Sequence, residues 1–270
     1  SLWSCAGLKI VVSVKQVPDT NAEKAFDSAT KRLNRTSIEN VLNPFDEYAI
    51  EEALRIRDGL ADGSTVTILT MGPESGREIV RKALAMGADD AALLSDPALA
   101  GSDAMATSYA LAQALKSIRF DLVLTGTQST DAICCVVPAA LAEYLKVPCL
   151  TYARKVSVSG GQVEIQRDIE GGWAKVTAPL PALVSVVKGI NEPRYPSLKG
   201  IMGAKKKNIE ALTVAGIGAE GSQVGDPGSR TQVQQWVAAG TREKGQVIPV
   251  ADPHEGARAI LDFLIAKKVI

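Results

Sequence analysis

The chain has 270 residues, 46% hydrophobic and 22% charged, the balance of a globular protein with room for one large domain plus an appendage. Its 30 Lys and Arg offset 30 Asp and Glu, so it lacks the cationic surplus with which a general nucleic-acid binder displaces counterions from phosphate. One histidine, His254, excludes a multi-histidine metal site and would have to serve alone in any Ser-His-Asp triad; no metal site is expected.

Ser1 to Gly7 lacks an initiator Met and a basic signal-peptide start, and is set aside as a processed or added terminus. Leu8 to Val14 is an unbroken apolar run rich in β-branched residues, as in a strand covered on both faces. Asp19 to Thr36 is polar and reads as a loop or irregular hairpin. Asn43-Pro44-Phe45-Asp46 sets up a helix start, with Asn43 as cap, Pro44 in the first turn and Asp46 and Glu47 at the positive end of the dipole. That helix is expected to reach about Asp58.

Val66 to Thr70 is a second strand. Ser75 and Glu78 have capping-box spacing before a helix that ends near Gly87. Ala91 to Leu94 is a third strand, Asp103 to Lys116 a helix, and Asp121 to Thr125 a fourth strand, followed by a polar turn and a helix over about Ala132 to Leu145. Strands alternating with helices of this length predict an α/β fold: a doubly wound, mostly parallel, Rossmann-like sheet.

Beyond residue 150 the period changes. Arg154 to Val158, Gln162 to Ile169 and Ala174 to Ala178, separated by Gly160-Gly161 and Gly171-Gly172, predict antiparallel hairpins. Leu183 to Val187 is a strand that can rejoin the main sheet. Asn191 to Lys207 reads as irregular, and 211–252 as an extended C-terminal arm. Residues 253–268 form an amphipathic helix with Ala257, Ile260, Leu261 and Leu264 on one face.

Leu124-Thr125-Gly126-Thr127-Gln128-Ser129-Thr130-Asp131 carries the clearest chemistry: a strand end, a glycine turn, hydroxyl-rich residues and a helix start. In an open α/β sheet ligands bind beyond the carboxyl ends of the strands, and helix N-termini suit phosphate. The same residues also suit a plain turn with Asp131 as a cap. Gly216-Ile-Gly218-Ala-Glu-Gly221 matches a dinucleotide fingerprint in letters only, because the Ser-Gln-Val-Gly-Asp-Pro-Gly after it cannot continue a helix. No P-loop occurs. Cys5, Cys134, Cys135 and Cys149 have no metal or disulfide spacing and read as reduced thiols, with Cys134 and Cys135 just after a helix start.

Asn43-Pro-Phe-Asp-Glu-Tyr-Ala-Ile-Glu-Glu-Ala53 and Ala83-Leu-Ala-Met-Gly-Ala-Asp89 add a resemblance, extended by Asn191-Glu-Pro-Arg-Tyr195, Gly200-Ile-Met202 and Ala204-Lys-Lys-Lys207. Together these motifs resemble the β subunit of electron transfer flavoprotein over roughly residues 8–270. Glu170-Gly171-Gly172 extends the likeness, which departs at Ala174 and Lys175. The resemblance implies an adenine-nucleotide-binding domain over 8–210 and an arm and helix over 211–270 that pack on an α subunit. It implies a heterodimer with no turnover of its own, in the bacterial cytoplasm or the mitochondrial matrix. Electrons would pass from flavin dehydrogenases, such as the acyl-CoA dehydrogenases of fatty acid β-oxidation, to a membrane quinone oxidoreductase. FAD would be held mainly by the α subunit and AMP by this chain.

Carried over by position, the nucleotide contacts are Ser13, Asn43, Pro44, Phe45, Asp46, Met71, Gly126, Thr127, Gln128, Ser129, Thr130, Asp131, Cys134, Val136 and Val137. The stretch Asp131-Ala-Ile-Cys-Cys-Val-Val137 departs from the family, lacking its Gln and hydroxyl side chains, so phosphate binding falls to backbone N–H groups and to Ser129, Thr130 and Asp131. An electron-bifurcating branch that binds a second FAD in place of AMP shares Ala100-Gly-Ser-Asp103-Ala-Met-Ala-Thr107-Ser108. Glu192, Pro193, Arg194 and Tyr195 resemble the start of the loop that docks dehydrogenases through a leucine, here Leu198, next to Lys205, Lys206 and Lys207. A stand-alone adenine-nucleotide-binding enzyme or sensor on the same sheet is the reading from another class.

Overall fold

Strand β1 (Lys9–Val14) runs through the middle of a sheet, paired in parallel with β4 (Thr65–Met71) on one side and β6 (Leu122–Gly126) on the other, which explains its unbroken apolar run. This computed structural model describes residues 7–237, 245 and 247–270. Residues 1–6, with Cys5, and 238–244 and 246 of the expected arm lie outside the described residues.

Two short strands, β2 (Gln16–Pro18) and β3 (Asn40–Leu42), pair antiparallel and close the polar stretch between them, where a single bridge joins Phe26 and Leu33. The irregular hairpin read from that stretch is therefore present. Outward from β4 lie β5 (Asp90–Leu94) and β11 (Glu210–Leu212). Beyond β6 lie β10 (Ala182–Val186), β7 (Cys149–Ser159), β8 (Gln162–Ile169) and β9 (Gly172–Pro179). The nine strands are parallel from β11 to β7, and β8 and β9 add the expected antiparallel hairpins. The strand at 182–186 does rejoin the main sheet.

Helices cover both faces. On one face α1 (Pro44–Leu60) and α2 (Arg77–Met86) bury Ile50, Leu54, Val80 and Leu84 against Ile10, Val12, Ile68 and Leu124. On the other, α3 (Ala104–Ile118) and α4 (Val137–Leu145) bury Leu111, Leu115 and Leu141 against Val11, Leu69, Val123 and Leu183. Fully burying one such side chain contributes roughly 1.5–3 kcal/mol. The odd and even positions of β1 thus feed separate cores, the geometry of a doubly wound sheet.

Several elements differ from the sequence reading. The helix expected from Ala132 begins at Val137, with Pro138 in its first turn; the residues before it are irregular, and Ile133 and Cys135 take left-handed backbone angles. Cys134 and Cys135 therefore precede the helix and do not lie in its first turn. Asn43 makes no cap hydrogen bond to α1, and the Ser75–Glu78 capping box does not form: Ser75 Oγ lies 3.0 Å from Gln16 Oε1, and a 3₁₀ turn at Glu74–Gly76 leads into α2. Residues 198–206, read as irregular, form α5 (Leu198–Lys206), capped by Ser197, whose Oγ accepts from the Gly200 N–H at 3.0 Å. From 211 onward the chain is not simply extended: β11 joins the sheet edge, and α6 (Gly225–Gly228) packs near α3.

Two units are distinguished, the first ending at Gln234 and the second running from Gln235 to Ile270. The second contains α7 (Pro253–Ala266), where Asp252 caps by accepting from the His254 N–H. Its Ile260, Leu261, Phe263 and Ile265 are exposed.

Candidate functional site

The loop after β1 leads to α1 on one face, whereas the loop after β6 leads to α4 on the other. Neighbouring parallel strands whose connections diverge in this way open a crevice at their carboxyl ends. A cavity of about 400 Å³ occupies that crevice. Ser13, Asn43, Asp46, Met71, Gly126, Thr127, Gln128, Ser129, Cys134 and Val137 line it, so most of the residues singled out by resemblance converge on one space. Pro44, Phe45, Thr130, Asp131 and Val136 do not line the cavity.

Strand register builds the floor. Ser13 on β1 is level with Thr125 on β6, which is level with Ser185 on β10, placing three hydroxyl residues in a row on the same face of the sheet, of which Ser13 and Thr125 line the cavity. The Ser185 hydroxyl accepts a hydrogen bond from the Tyr152 N–H at 3.1 Å. Thr125 Oγ1 is buried and, among the described residues, has no hydrogen-bond partner. Since a buried hydroxyl without a partner costs roughly 1–3 kcal/mol, one at a cavity wall fits a polar ligand atom.

Gly126 lines the cavity and also permits a close approach within the chain itself. An added Cβ would lie 2.6 Å from Asp46 Oδ1 and 2.8 Å from Phe45 Cβ, so the glycine lets the start of α1 press onto the end of β6. Asp46 is held there by the Lys15 N–H at 2.8 Å, and also by the Gly126 N–H and the Asn43 side chain. Burial, outweighing these hydrogen bonds, pushes its carboxyl up to about 7. Asn43, freed from capping, instead donates through Nδ2 to the Gln128 carbonyl at 2.9 Å and accepts from the Thr130 N–H at 3.3 Å, tying the cavity loop to the helix start.

Asp131 is neither a cap nor a wall group. Its carboxylate accepts from Lys15 Nζ at 2.7 Å and from Arg35 Nη2 at 2.6 Å. Burial alone would raise its pKa, but Lys15, with Arg35 and Ser129, outweighs burial and holds the carboxyl at about 2. Lys15 and Arg35 themselves line the cavity. Both escaped the sequence reading because their partner lies 116 and 96 residues away.

The opposite wall is Ser102, Asp103, Ala104 and Thr107 at the start of α3. Asp103 Oδ1 caps that helix through the Met105 and Ala106 N–H groups, while Oδ2 accepts from the N–H groups of Arg230 and Thr231. Cys134 and Cys135 sit at the wall beside Gln128, whose Oε1 lies 2.9 Å from the Cys135 sulfur. Among the described residues, no group of three or more His, Cys, Asp or Glu side chains is placed to hold a metal ion. No described helix is long and apolar enough to cross a membrane. Hydroxyls and two cations stand around this cleft together with the carboxyls of Asp46 and Asp103, a set that can meet the hydroxyl and phosphate groups of a nucleotide.

The residues singled out for partner docking lie elsewhere on the surface. Arg194 is tied to α1 through Glu51 at 2.8 Å and Asp58 at 3.1 Å. Lys207 Nζ donates to the carbonyls of Ala88 and Asp89. Glu192, Lys205 and Lys206 are exposed, and Pro193 is half-buried. Tyr195 is 92% exposed and Leu198 77% exposed, with Ile201 and Met202 also open on α5.

Together, the sheet and its cleft define the class: a doubly wound α/β protein with a cavity at its switch point. Residues 30–216 match the electron transfer flavoprotein domain family. The chain is 44% identical over 265 residues to an electron transfer flavoprotein subunit beta of Mycobacterium bovis, covering 97% of this chain and 99% of the relative. It is 40% identical to the subunit beta of Megasphaera elsdenii, covering 97% and 100%. It is 37% identical to the caffeyl-CoA reductase-Etf complex subunit CarD of Acetobacterium woodii, again covering 97% and 100%. The chain belongs to the electron transfer flavoprotein β-subunit family.

Proposed function

We propose that this chain is the nucleotide-binding half of an αβ electron carrier, without turnover of its own, and that its switch-point cavity holds AMP. The partner α subunit would hold the redox FAD, which supplies the electron chemistry when bound. What this chain contributes is the rigid sheet, the hydroxyl row and the docking surface. The observation that carries the reading is the convergence of Ser13, Thr125 and the Gly126–Ser129 loop on one cleft, with a buried hydroxyl lacking a protein partner. A volume of about 400 Å³ lies near the lower end of ligand cavities, roughly 300–1,000 Å³, and suits a mononucleotide better than a dinucleotide.

A second reading, FAD in this cavity as in bifurcating carriers, has its own support. Ser102, Asp103 and Thr107, within the stretch shared with that branch, line the wall, and one relative belongs to a reductase–Etf complex.

The exposed Tyr195, Leu198 and Met202 fit a transient apolar anchor for a flavin dehydrogenase, with Lys205 and Lys206 as its polar rim. The reduced carrier would then deliver its electrons to a membrane quinone oxidoreductase. The exposed apolar residues of α7 fit burial against the α subunit. We assign the pair to the cytoplasm in a bacterium or the mitochondrial matrix in a eukaryote.

Co-expression tests the assembly. A yellow heterodimer with this chain is expected when an α subunit is supplied, and truncation after Gln234 should release the α subunit. A heterodimer of unchanged stability after that truncation would remove the C-terminal unit from the interface.

A further inference from the structure

The cavity has four charged side chains on its wall: Lys15, Arg35, Asp46 and Asp103. The two carboxylates are engaged by N–H groups of the chain, Asp46 by Lys15 and Asp103 by Met105, Ala106, Arg230 and Thr231. The two cations share one carboxylate, Asp131, whose side chain is fully buried while theirs remain 40% and 43% exposed. Two positive groups thus converge on a single buried carboxylate, and that corner of the wall carries the cavity's cations, while Asp46 and Asp103 supply its other charges. Lys15 Nζ also lies 3.3 Å from Ser129 Oγ, and the buried Thr130 Oγ1 beside it lacks a hydrogen-bond partner among the described residues. A guanidinium has five N–H donors and an ammonium three, so pairing with Asp131 leaves each with donors to spare.

We propose that Lys15 and Arg35 form the phosphate-binding pair of this cavity, and that Asp131 is a positioning residue that stretches both side chains to the wall. The inference rests on the nucleotide reading and sharpens it: the missing Gln and hydroxyl groups of 132–137 are replaced by cations from the β1–β2 turn and the 19–39 hairpin, not by backbone N–H groups alone. Arg35 reaches the wall from that hairpin, through its pairing with Asp131. The site takes a phosphate or pyrophosphate ester and discriminates against the bare nucleoside.

The test uses the full chain co-purified with its α subunit and stripped of nucleotide. AMP, adenosine and inorganic pyrophosphate are titrated in turn by calorimetry. Lys15→Met and Arg35→Gln should each weaken AMP and pyrophosphate binding about tenfold, the scale of one charge-assisted hydrogen bond, and leave adenosine unchanged. The salt dependence of AMP binding should flatten in both variants. Lys15→Arg should retain affinity. Because Lys15→Met strips Asp131 of one partner, the double variant Lys15→Met/Asp131→Asn serves as a second probe, and its AMP preference should stay lost. Equal losses for AMP and adenosine would overturn the pair as a phosphate site, as would unchanged AMP binding in both single variants. If wild type binds pyrophosphate but neither AMP nor adenosine, and the variants lose it, the anion pair stands and the nucleotide reading fails. If wild type binds none of the three, both fail.

Discussion

Gly126→Ala probes the joint on which the cavity is built. The added methyl group would sit 2.6 Å from Asp46 Oδ1, 2.8 Å from Phe45 Cβ and 2.9 Å from Phe45 C, whereas unstrained carbon contacts lie near 3.5–4.0 Å. Two of the three atoms belong to Phe45 at the start of α1, so a side-chain rotation cannot relieve the clash. The helix start must retreat by roughly 0.5–1 Å, a shift that overpacked cores charge at about 1–3 kcal/mol. For a domain of this size each kcal/mol lowers Tm by about 2–4 °C, giving an expected drop of roughly 2–12 °C. Retreat of α1 also carries Asn43, and with it the Gln128 carbonyl and Thr130 N–H that it holds. AMP affinity should therefore fall by about tenfold, on the scale of one misplaced hydrogen bond. Thermal unfolding and AMP titration of the same preparation read both effects. A variant with the wild-type Tm would refute the packing argument; a lowered Tm with unchanged affinity would refute the link from α1 to the loop.

The remaining predictions concern charge, the floor hydroxyl and the docking surface. Asp131 is held at about 2 in the fold against about 3.9 unfolded, so its contribution is complete above about pH 4 and lost as pH falls towards 2. Asp46 is raised to about 7, so stability should decline between about pH 4 and 7 as the unfolded chain gives up that proton first. Urea midpoints across this range should show both slopes, with Asp131→Asn flattening the acid limb and Asp46→Asn the neutral one; unaltered slopes would count against the assignment. Thr125→Val should raise ligand-free stability by about 1 kcal/mol, by removing a buried hydroxyl without a partner, while weakening AMP binding. A destabilised Thr125→Val with full affinity would contradict the floor assigned to it. Leu198→Ala should leave Tm within a degree or so, given its exposure, yet slow electron acceptance from a flavin dehydrogenase severalfold; an unchanged rate would remove it as anchor.

Local signals carried the frame. β1, β4 and β6 are apolar runs because each is buried on both faces, and Pro44 starts α1 wherever the rest of the chain lies. The glycine at 126 was legible as a special position, but its reason was not: the colliding atoms belong to Phe45 and Asp46, about eighty residues earlier. Asp131 carried a local cap signal, but its carboxylate pairs with distant Lys15 and Arg35, and α4 starts only at Val137, with Pro138 in the first turn that suits a proline. The helix α5 was hidden by Gly200 and Gly203, both poor helix formers. At Gly200 an added Cβ would lie 2.4 Å from the Ala85 carbonyl oxygen, so packing against α2 demands the residue that masks the helix. The cavity residues on β1, α1 and β6 could be assembled from the strand-end rule, whereas Lys15 and Arg35 become visible only once the chain has folded.

The central claim, that the switch-point cavity holds an adenine nucleotide, is tested most directly by acid release from the purified heterodimer, with the released compounds identified by mass and absorbance. The account predicts one AMP per heterodimer besides the flavin of the α subunit. Two flavins and no AMP would move the cavity to the bifurcating reading, and one flavin with no second adenine nucleotide would contradict the account.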